Sequence, residues 1–444
     1  MVFDWRPVGP EMMVLAFIIL LPLFSFFLVP TTRGRRDMGR ITAIGLGGAL
    51  AMTVLMMVRR TYEGTVLFDL YEITPFSQFL KVVFLGVSLL VALVSIDYTK
   101  DARQPTEYYT LLLVGTLGMM VVASARDLIT LFLGIETMSL SSAVLAGYKK
   151  GDARGAEASM KFFLISAVSS GLNLFAISLL YGAAGTLTFD GIARALTSDL
   201  DPIVLTGAIL AAAGLGFKIT IVPFHMWAPD VYQGAPSPVT ALLAGGSKKM
   251  GFAAVFKLFL VALIGAKVSW EVALGVIAIA TMTVGNVVAI SQRSMKRMLA
   301  YSSVAQAGYI MIAVVVGTQY AVAGGLFHIL THSVMKAGAF LIIAAIAAFG
   351  IGDSIEHYRG LNKRSPLIAF TMAIVLLSLA GIPPLAGFAS KFVLFSSAID
   401  SALGTSGVVE GGGLLLALAI AGIVNSVISL YYYARRAKST TNLG

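Results

Sequence analysis

From residue 12 to residue 433 the chain repeats one pattern, a run of about twenty apolar residues followed by a short polar stretch. In hydrocarbon every backbone N–H and C=O must be bonded within its own segment, and only a helix of about that length can cross the bilayer in this way. The runs predict helices at 12–30, 40–58, 78–96, 107–125, 127–147, 158–181, 203–224, 237–263, 271–291, 298–316, 320–349, 367–399 and 413–433. The first run lacks a small-residue cleavage pattern, so it is expected to be a retained span and not a signal peptide. With 58% hydrophobic and 12% charged residues, the 444-residue chain has too few polar groups to cover a water-soluble fold. The expected class is an all-α polytopic membrane protein.

Lysine and arginine collect in cytoplasmic loops, and here they alternate between predicted loops. One side carries Arg33, Arg35, Arg36, Arg40, Lys100, Arg103, Lys149, Lys150, Arg154, Arg293, Lys296, Arg297, Arg359, Lys363, Arg364, Arg435, Arg436 and Lys438. The other carries only Arg6, Arg59, Arg60, Arg126, Arg194 and Lys267. This asymmetry predicts an outer N-terminus and a cytoplasmic C-terminus in a prokaryotic cytoplasmic membrane. It also accounts for the net charge of +10 without a nucleic-acid partner. Cysteine is absent, which removes disulfides, thiolate metal sites and iron–sulfur ligation by this chain. The histidines, His225, His328, His332 and His357, offer no closed set of metal ligands.

The remaining lysines, Lys81, Lys161, Lys218, Lys248, Lys249, Lys257, Lys336 and Lys391, fall inside predicted spans. A charge at mid-membrane costs about 2.5–3.5 kcal/mol on the most lenient scale, so each needs a partner, a wet cavity or a function. Lys81, Lys161 and Lys257 lie near span ends, where a long stem can carry the ammonium to the interface. Lys218, Lys248 and Lys391 lie deeper. Among the acids, only Glu136 falls near the middle of a span, beside Met138, Ser139 and Ser142. A carboxylate there must take up a proton or pair with a buried cation, and such a pair can switch with the position of the proton.

Two spans are interrupted. The seventh contains Lys218, Pro223, His225 and Pro229, and the twelfth contains Gly381-Ile-Pro383-Pro384-Leu-Ala-Gly387 and then Lys391. Proline inside a helix frees carbonyls that need other donors, and paired broken helices in corresponding halves of a chain point to a transport site. Ordinary proline kinks are the plainer reading, but a deep lysine beside each break favours function. In the eleventh span His328, His332 and Lys336 recur every four residues and share one face, drifting by about 40° per step. Two imidazoles and an amine in an otherwise apolar helix suit a proton relay and make a poor metal site.

These residues carry a resemblance. Phe217-Lys218, the stretch Val222-Pro-Phe-His225-Met-Trp-Ala-Pro-Asp230-Val-Tyr-Gln-Gly-Ala-Pro and Ser247-Lys248 resemble the core of complex I subunit N. Ser291 to Tyr309 and Gly381-Ile-Pro-Pro-Leu-Ala-Gly-Phe388 resemble the same antiporter-like family, over about residues 105–433. The resemblance implies helices 1–3 in residues 1–104 and two inverted five-helix repeats at 105–265 and 266–433, with discontinuous helices 7 and 12. A cytoplasmic tail would follow at 434–444, where the family has a fourteenth helix. By motif, Glu136 resembles the fifth-helix glutamate and Lys218 its seventh-helix partner. Lys248 resembles the connecting lysine of the eighth helix, with His225 between the two lysines. Lys391 resembles the twelfth-helix lysine, where subunit M has a glutamate, and Lys161 also matches a family lysine. His328, His332 and Lys336 look like the eleventh helix of subunits L and M and of the antiporters.

The implied function is proton translocation coupled to electron transfer in other subunits, within an NADH:quinone oxidoreductase-type translocase. No cofactor is expected in this chain; quinone and redox cofactors would belong to partner subunits. The implied partners are M-type and small K/J/A-type membrane subunits, a peripheral redox arm and the lipid bilayer, with no nucleic acid. A secondary cation/proton antiporter subunit is the competing reading, and an inert helical scaffold is a third.

Overall fold

The computed structural model describes residues 5–28, 31–102, 104–196, 202–404, 407–409 and 411–441. Arg103, one of the basic residues of the topology argument, lies outside them. The first three long helices are α1 (Gly9–Leu28), α2 (Thr32–Arg59) and α3 (Pro75–Tyr98), with a hairpin of β1 (Gly64–Val66) and β2 (Tyr71–Ile73) between the last two. Then come α4 (Pro105–Ser124), α5 (Leu128–Ala146), α6 (Ala153–Ala184), the short α7 (Phe189–Ala195), α8 (Pro202–Ile219), α9 (Trp227–Gly234), α10 (Ser237–Leu242) and α11 (Lys248–Lys257). The rest are α12 (Lys267–Ile290), α13 (Met295–Val316), α14 (Gln319–Ala348), α15 (Leu361–Arg364), α16 (Pro366–Ala380) and α17 (Ala386–Ala402). A minimal pairing of β3 (Leu403–Gly404) with β4 (Gly407–Val408) precedes α18 (Gly412–Thr441). Helix starts follow local chemistry. Asp127 caps α5 by accepting from the Ile129 and Thr130 amides, and Thr74 with Ser77 forms a reciprocal capping box on α3.

Among the described residues eleven helices are long and apolar enough to cross a membrane. The other two expected spans are present but interrupted. The eighth runs from α10 through a π-helical turn at Leu243–Ser247 into α11 and a second π-helical turn at Leu258–Ala262. The twelfth is divided into α16 and α17. Interruption, and not any lack of apolar residues, keeps these two from reading as single long helices. The expected polar tail after Tyr433 is instead the last turns of α18, which continue through Arg435, Arg436 and Lys438 to Thr441.

The helices fall into two matching sets of five after α3, and in each set the fourth member is broken, α8/α9 in one and α16/α17 in the other. One helix lies at the centre. α13 is almost wholly buried, from Met298 to Val316 with the exception of Tyr301.

Candidate functional site

The seventh helix breaks directly after Lys218. α8 ends at Ile219, Thr220 takes a left-handed backbone (φ 59°), and residues 221–226 cross as an irregular segment before α9. The break satisfies its own carbonyls in part, since the Trp227 indole donates to the Phe217 carbonyl at 3.1 Å. Lys218 is buried and donates to Ser139 Oγ at 2.8 Å and to Ser166 Oγ at 2.5 Å. Its ammonium lies 3.8 Å from Glu136 Oε1, which also accepts from Ser170 Oγ at 2.5 Å. The expected acid–lysine pair is therefore real but loose. Serine hydroxyls hold both members at a distance where a small shift makes or breaks the direct contact.

Helix 8 packs against this site through Gly251, where a Cβ would meet Lys218 Cβ at 3.3 Å and Ile219 Cγ2 at 2.7 Å. Just before it, the π-helical turn inserts an extra residue and rotates the next turn of helix, a device that recurs at functional sites. Lys248 and Lys249, adjacent and both buried, face different partners. Lys248 donates to the Ser303 carbonyl on α13 at 2.6 Å, and Lys249 is hydrogen-bonded to His332 Nδ1 on α14. His225 sits half-buried in the seventh-helix break, within electrostatic reach of Lys248, and its Nδ1 has no hydrogen-bond partner among the described residues.

From His332 the track continues along α14. The rings of His328 and His332 are stacked, with centroids 5.9 Å apart and planes 8° from parallel. His328 shares its Nδ1 with Ser390 Oγ and its Nε2 with Gln306 Oε1, both at 2.9 Å. Lys336 donates to the Leu299 carbonyl at 2.8 Å and to Ser302 Oγ. At the second break Gly381 takes φ 91° and gives room to the Lys391 stem, while Gly387 presses against the Ser378 carbonyl, where no side chain fits. The freed carbonyls of Leu379 and Ala380 each accept from Lys391 Nζ at 3.1 Å, and the Tyr309 ring lies under the ammonium at 4.9 Å. Gln306 Nε2 donates to the same Leu379 carbonyl at 3.3 Å, closing a chain from Lys391 through Gln306 to His328. Beyond Lys391 opens a cavity of 320 Å³ walled by Phe388, Phe392 and Ser426 among others.

The family described as NADH:quinone oxidoreductase/Mrp antiporter, TM, matches residues 125–415, which include both broken helices and every group of this track. The chain belongs to that family. F(420)H(2) dehydrogenase subunit N of Methanosarcina mazei is 45% identical over 447 residues, covering 97% of this chain and 87% of the relative. NADH-quinone oxidoreductase subunit N of Desulforamulus reducens is 39% identical over 421 residues, covering 94% and 85%. The solved respiratory complex I from Thermus thermophilus contains a chain of the same fold, with a TM-score of 0.80 and 31% identity over 97% of this chain and 89% of that one. Within the NADH:quinone oxidoreductase/Mrp antiporter family, the chain sits with the N-type subunits.

Other lysines of the predicted spans lie off the track. Lys161, with 40% of its side chain exposed, is paired with Glu157 at 2.7 Å and with Asp230 at 2.9 Å, in a crevice of 310 Å³ that Arg297 also lines. Lys81 and Lys257 do not reach an interface as the snorkelling expectation had it. Lys81 forms a buried ion pair with Glu11 at 2.7 Å, supported by the Tyr71 hydroxyl on the same carboxylate oxygen, and Lys257 donates to the Ala125 carbonyl at 2.6 Å. Each found a partner brought up by another helix, which span position alone does not reveal. Lys249 was counted in the sequence without a role, and only the packing of α14 against the eighth span places it opposite His332. Ser166 and Ser170, four residues apart on one face of α6, and Gln306 on α13 were missed because a lone hydroxyl or amide in an apolar helix is commonplace.

Proposed function

We propose that this chain is an N-type membrane subunit of a quinone oxidoreductase complex and that it moves protons along the track from the Glu136–Lys218 pair to Lys391. The observation that carries the reading is the near-continuous run of buried ionisable groups from the eighth span to the second broken helix: Lys249 to His332, His332 to His328, and His328 through Gln306 to the Lys391 carbonyl site. Buried ionisable groups in a membrane mark ion and proton paths, and here serine, glutamine and backbone carbonyl acceptors replace lost water at each step. The loose 3.8 Å pair supplies a switch. When Glu136 is ionised it holds Lys218 in the charged form; when Glu136 takes a proton, the ammonium keeps only neutral hydroxyls and releases its own proton more readily toward His225 and Lys248. His225, Lys248, His328, His332 and Lys336 act as relays, and Lys161 lies off the track, in the crevice at Asp230.

Electron transfer would occur in other subunits, which would carry the quinone and redox cofactors and drive the pair. Its partners would be M-type and K/J/A-type neighbours and a peripheral redox arm, in a prokaryotic cytoplasmic membrane with the N-terminus outside. The test is Glu136→Gln in the complex reconstituted into vesicles. Donor-driven proton uptake per assembled complex is expected to fall strongly while assembly persists. Wild-type uptake would remove Glu136 from the mechanism and with it the switch. Proton movement driven by a sodium gradient without electron donor would instead support the antiporter reading.

A further inference from the structure

A second network, outside the buried track, ties the two repeats together around Asp230. Asp230, on α9 after the first break, accepts from Lys161 Nζ of α6 on Oδ2 at 2.9 Å and from Arg297 Nη1 of α13 on Oδ1 at 2.7 Å. The first turn of α13 grips the same short helix again. Arg297 donates to Gln233 Oε1 at 3.2 Å, and Lys296 Nζ donates to the Gln233 and Ala235 carbonyls at 3.3 and 3.0 Å, at the C-terminal end of α9. Asp353, from the segment after α14, accepts from the Lys296 amide at 3.0 Å, from Gln233 Nε2 at 3.3 Å and from Ser294 Oγ.

The two helices that meet at Asp230 are the ones that cradle the two central lysines. Further along α6, Ser166 holds Lys218 and Ser170 holds Glu136. Further along α13, Ser303 holds Lys248 and Ser302 holds Lys336. Helices are stiff, so fixing their ends fixes the spacing between these cradles. Both cations have a second acceptor, Glu157 for Lys161 and Gln233 for Arg297, so either can leave Asp230 without being stripped of partners. Asp230 alone joins them.

We propose that Asp230 is a positioning residue for proton transfer: by holding Lys161 and Arg297 at once, it sets α6 against α13 and thereby the distance between the Lys218 and Lys248 sites. This rests on the proton-track reading above. The side chains involved are 30% to 40% exposed, a setting in which an ion pair adds little to stability, so loss of the Asp230 charge should leave assembly intact.

The test uses the assembled complex in vesicles, with the amount of complex and donor-driven proton uptake per complex measured separately. Asp230→Asn keeps the shape and one acceptor oxygen but loses the charge. Assembly is expected to persist and uptake per complex to fall roughly 2- to 30-fold, the range for residues that couple sites without touching the transferred species. Arg297→Gln is expected to do the same from the other side, and Asp230→Glu to restore most of the uptake. Wild-type uptake per complex in Asp230→Asn and Arg297→Gln overturns the proposal, as does failure of both to assemble, which would make the network structural only. If Glu136→Gln abolishes uptake while Asp230→Asn does not, only the positioning role fails; if Glu136→Gln pumps normally, the underlying reading fails.

Discussion

An ammonium survives in the membrane interior only where other groups take over from water, and the lysines here are solvated in different ways. Lys391 has two backbone carbonyls and an aromatic face and no carboxylate within its contacts, so its proton is held by neutral dipoles. Arginine in its place would fill the carbonyl site yet keep its charge at any accessible pH. Lys391→Arg is therefore expected to assemble and to pump poorly. Wild-type pumping would mean that a fixed positive charge suffices and that Lys391 carries no proton. Lys81 is solvated by a full ion pair, and its loss strands Glu11 in the interior. Removing one partner of a buried pair costs about 3–5 kcal/mol, whereas replacing both can be neutral. Lys81→Ala is expected to lower the thermal stability of the purified complex, and Glu11→Gln/Lys81→Met to recover most of it. Lys218→Ala, by contrast, should harm uptake per complex more than Lys81→Ala does. Equal small effects on uptake would remove the special place of Lys218.

At the scale of elements, the breaks decide what the lysines touch. A straight seventh or twelfth helix would bond its own carbonyls and leave none for Trp227 or Lys391. Close approach at the glycines is part of the same design. Gly251→Ala places a methyl against Lys218 Cβ and Ile219 Cγ2 and pushes α11 off the first site. Overpacking of this kind costs about 1–3 kcal/mol, and uptake per complex is expected to drop with the helix content unchanged by circular dichroism. Uptake at the wild-type level would show that the Lys218–helix 8 spacing is not critical.

For the whole molecule, the charge asymmetry of the loops predicts which end faces the cytoplasm. The absence of cysteine makes this directly measurable, because any introduced thiol is the sole one. Glu63→Cys, in the exposed segment before β1, is expected to react with a membrane-impermeant maleimide on intact cells. Lys363→Cys, exposed on α15, should react only in inside-out vesicles. The reverse pattern would invert the orientation.

The sequence by itself determined the class, the number and order of spans, the two breaks and which ionisable residues fall within the spans, because each rests on a local cost: unbonded backbone in lipid, proline in a helix, charge in hydrocarbon. Which groups face one another was decided only by tertiary structure. The pairing of Lys249 with His332 depends on α14 facing the eighth span, the capture of Lys81 on α1 bringing Glu11 to α3, and the joining of Lys161 to Arg297 on one carboxylate at Asp230. Spacing along a chain fixes the face of a helix; it does not fix what another helix, far away in sequence, brings to that face.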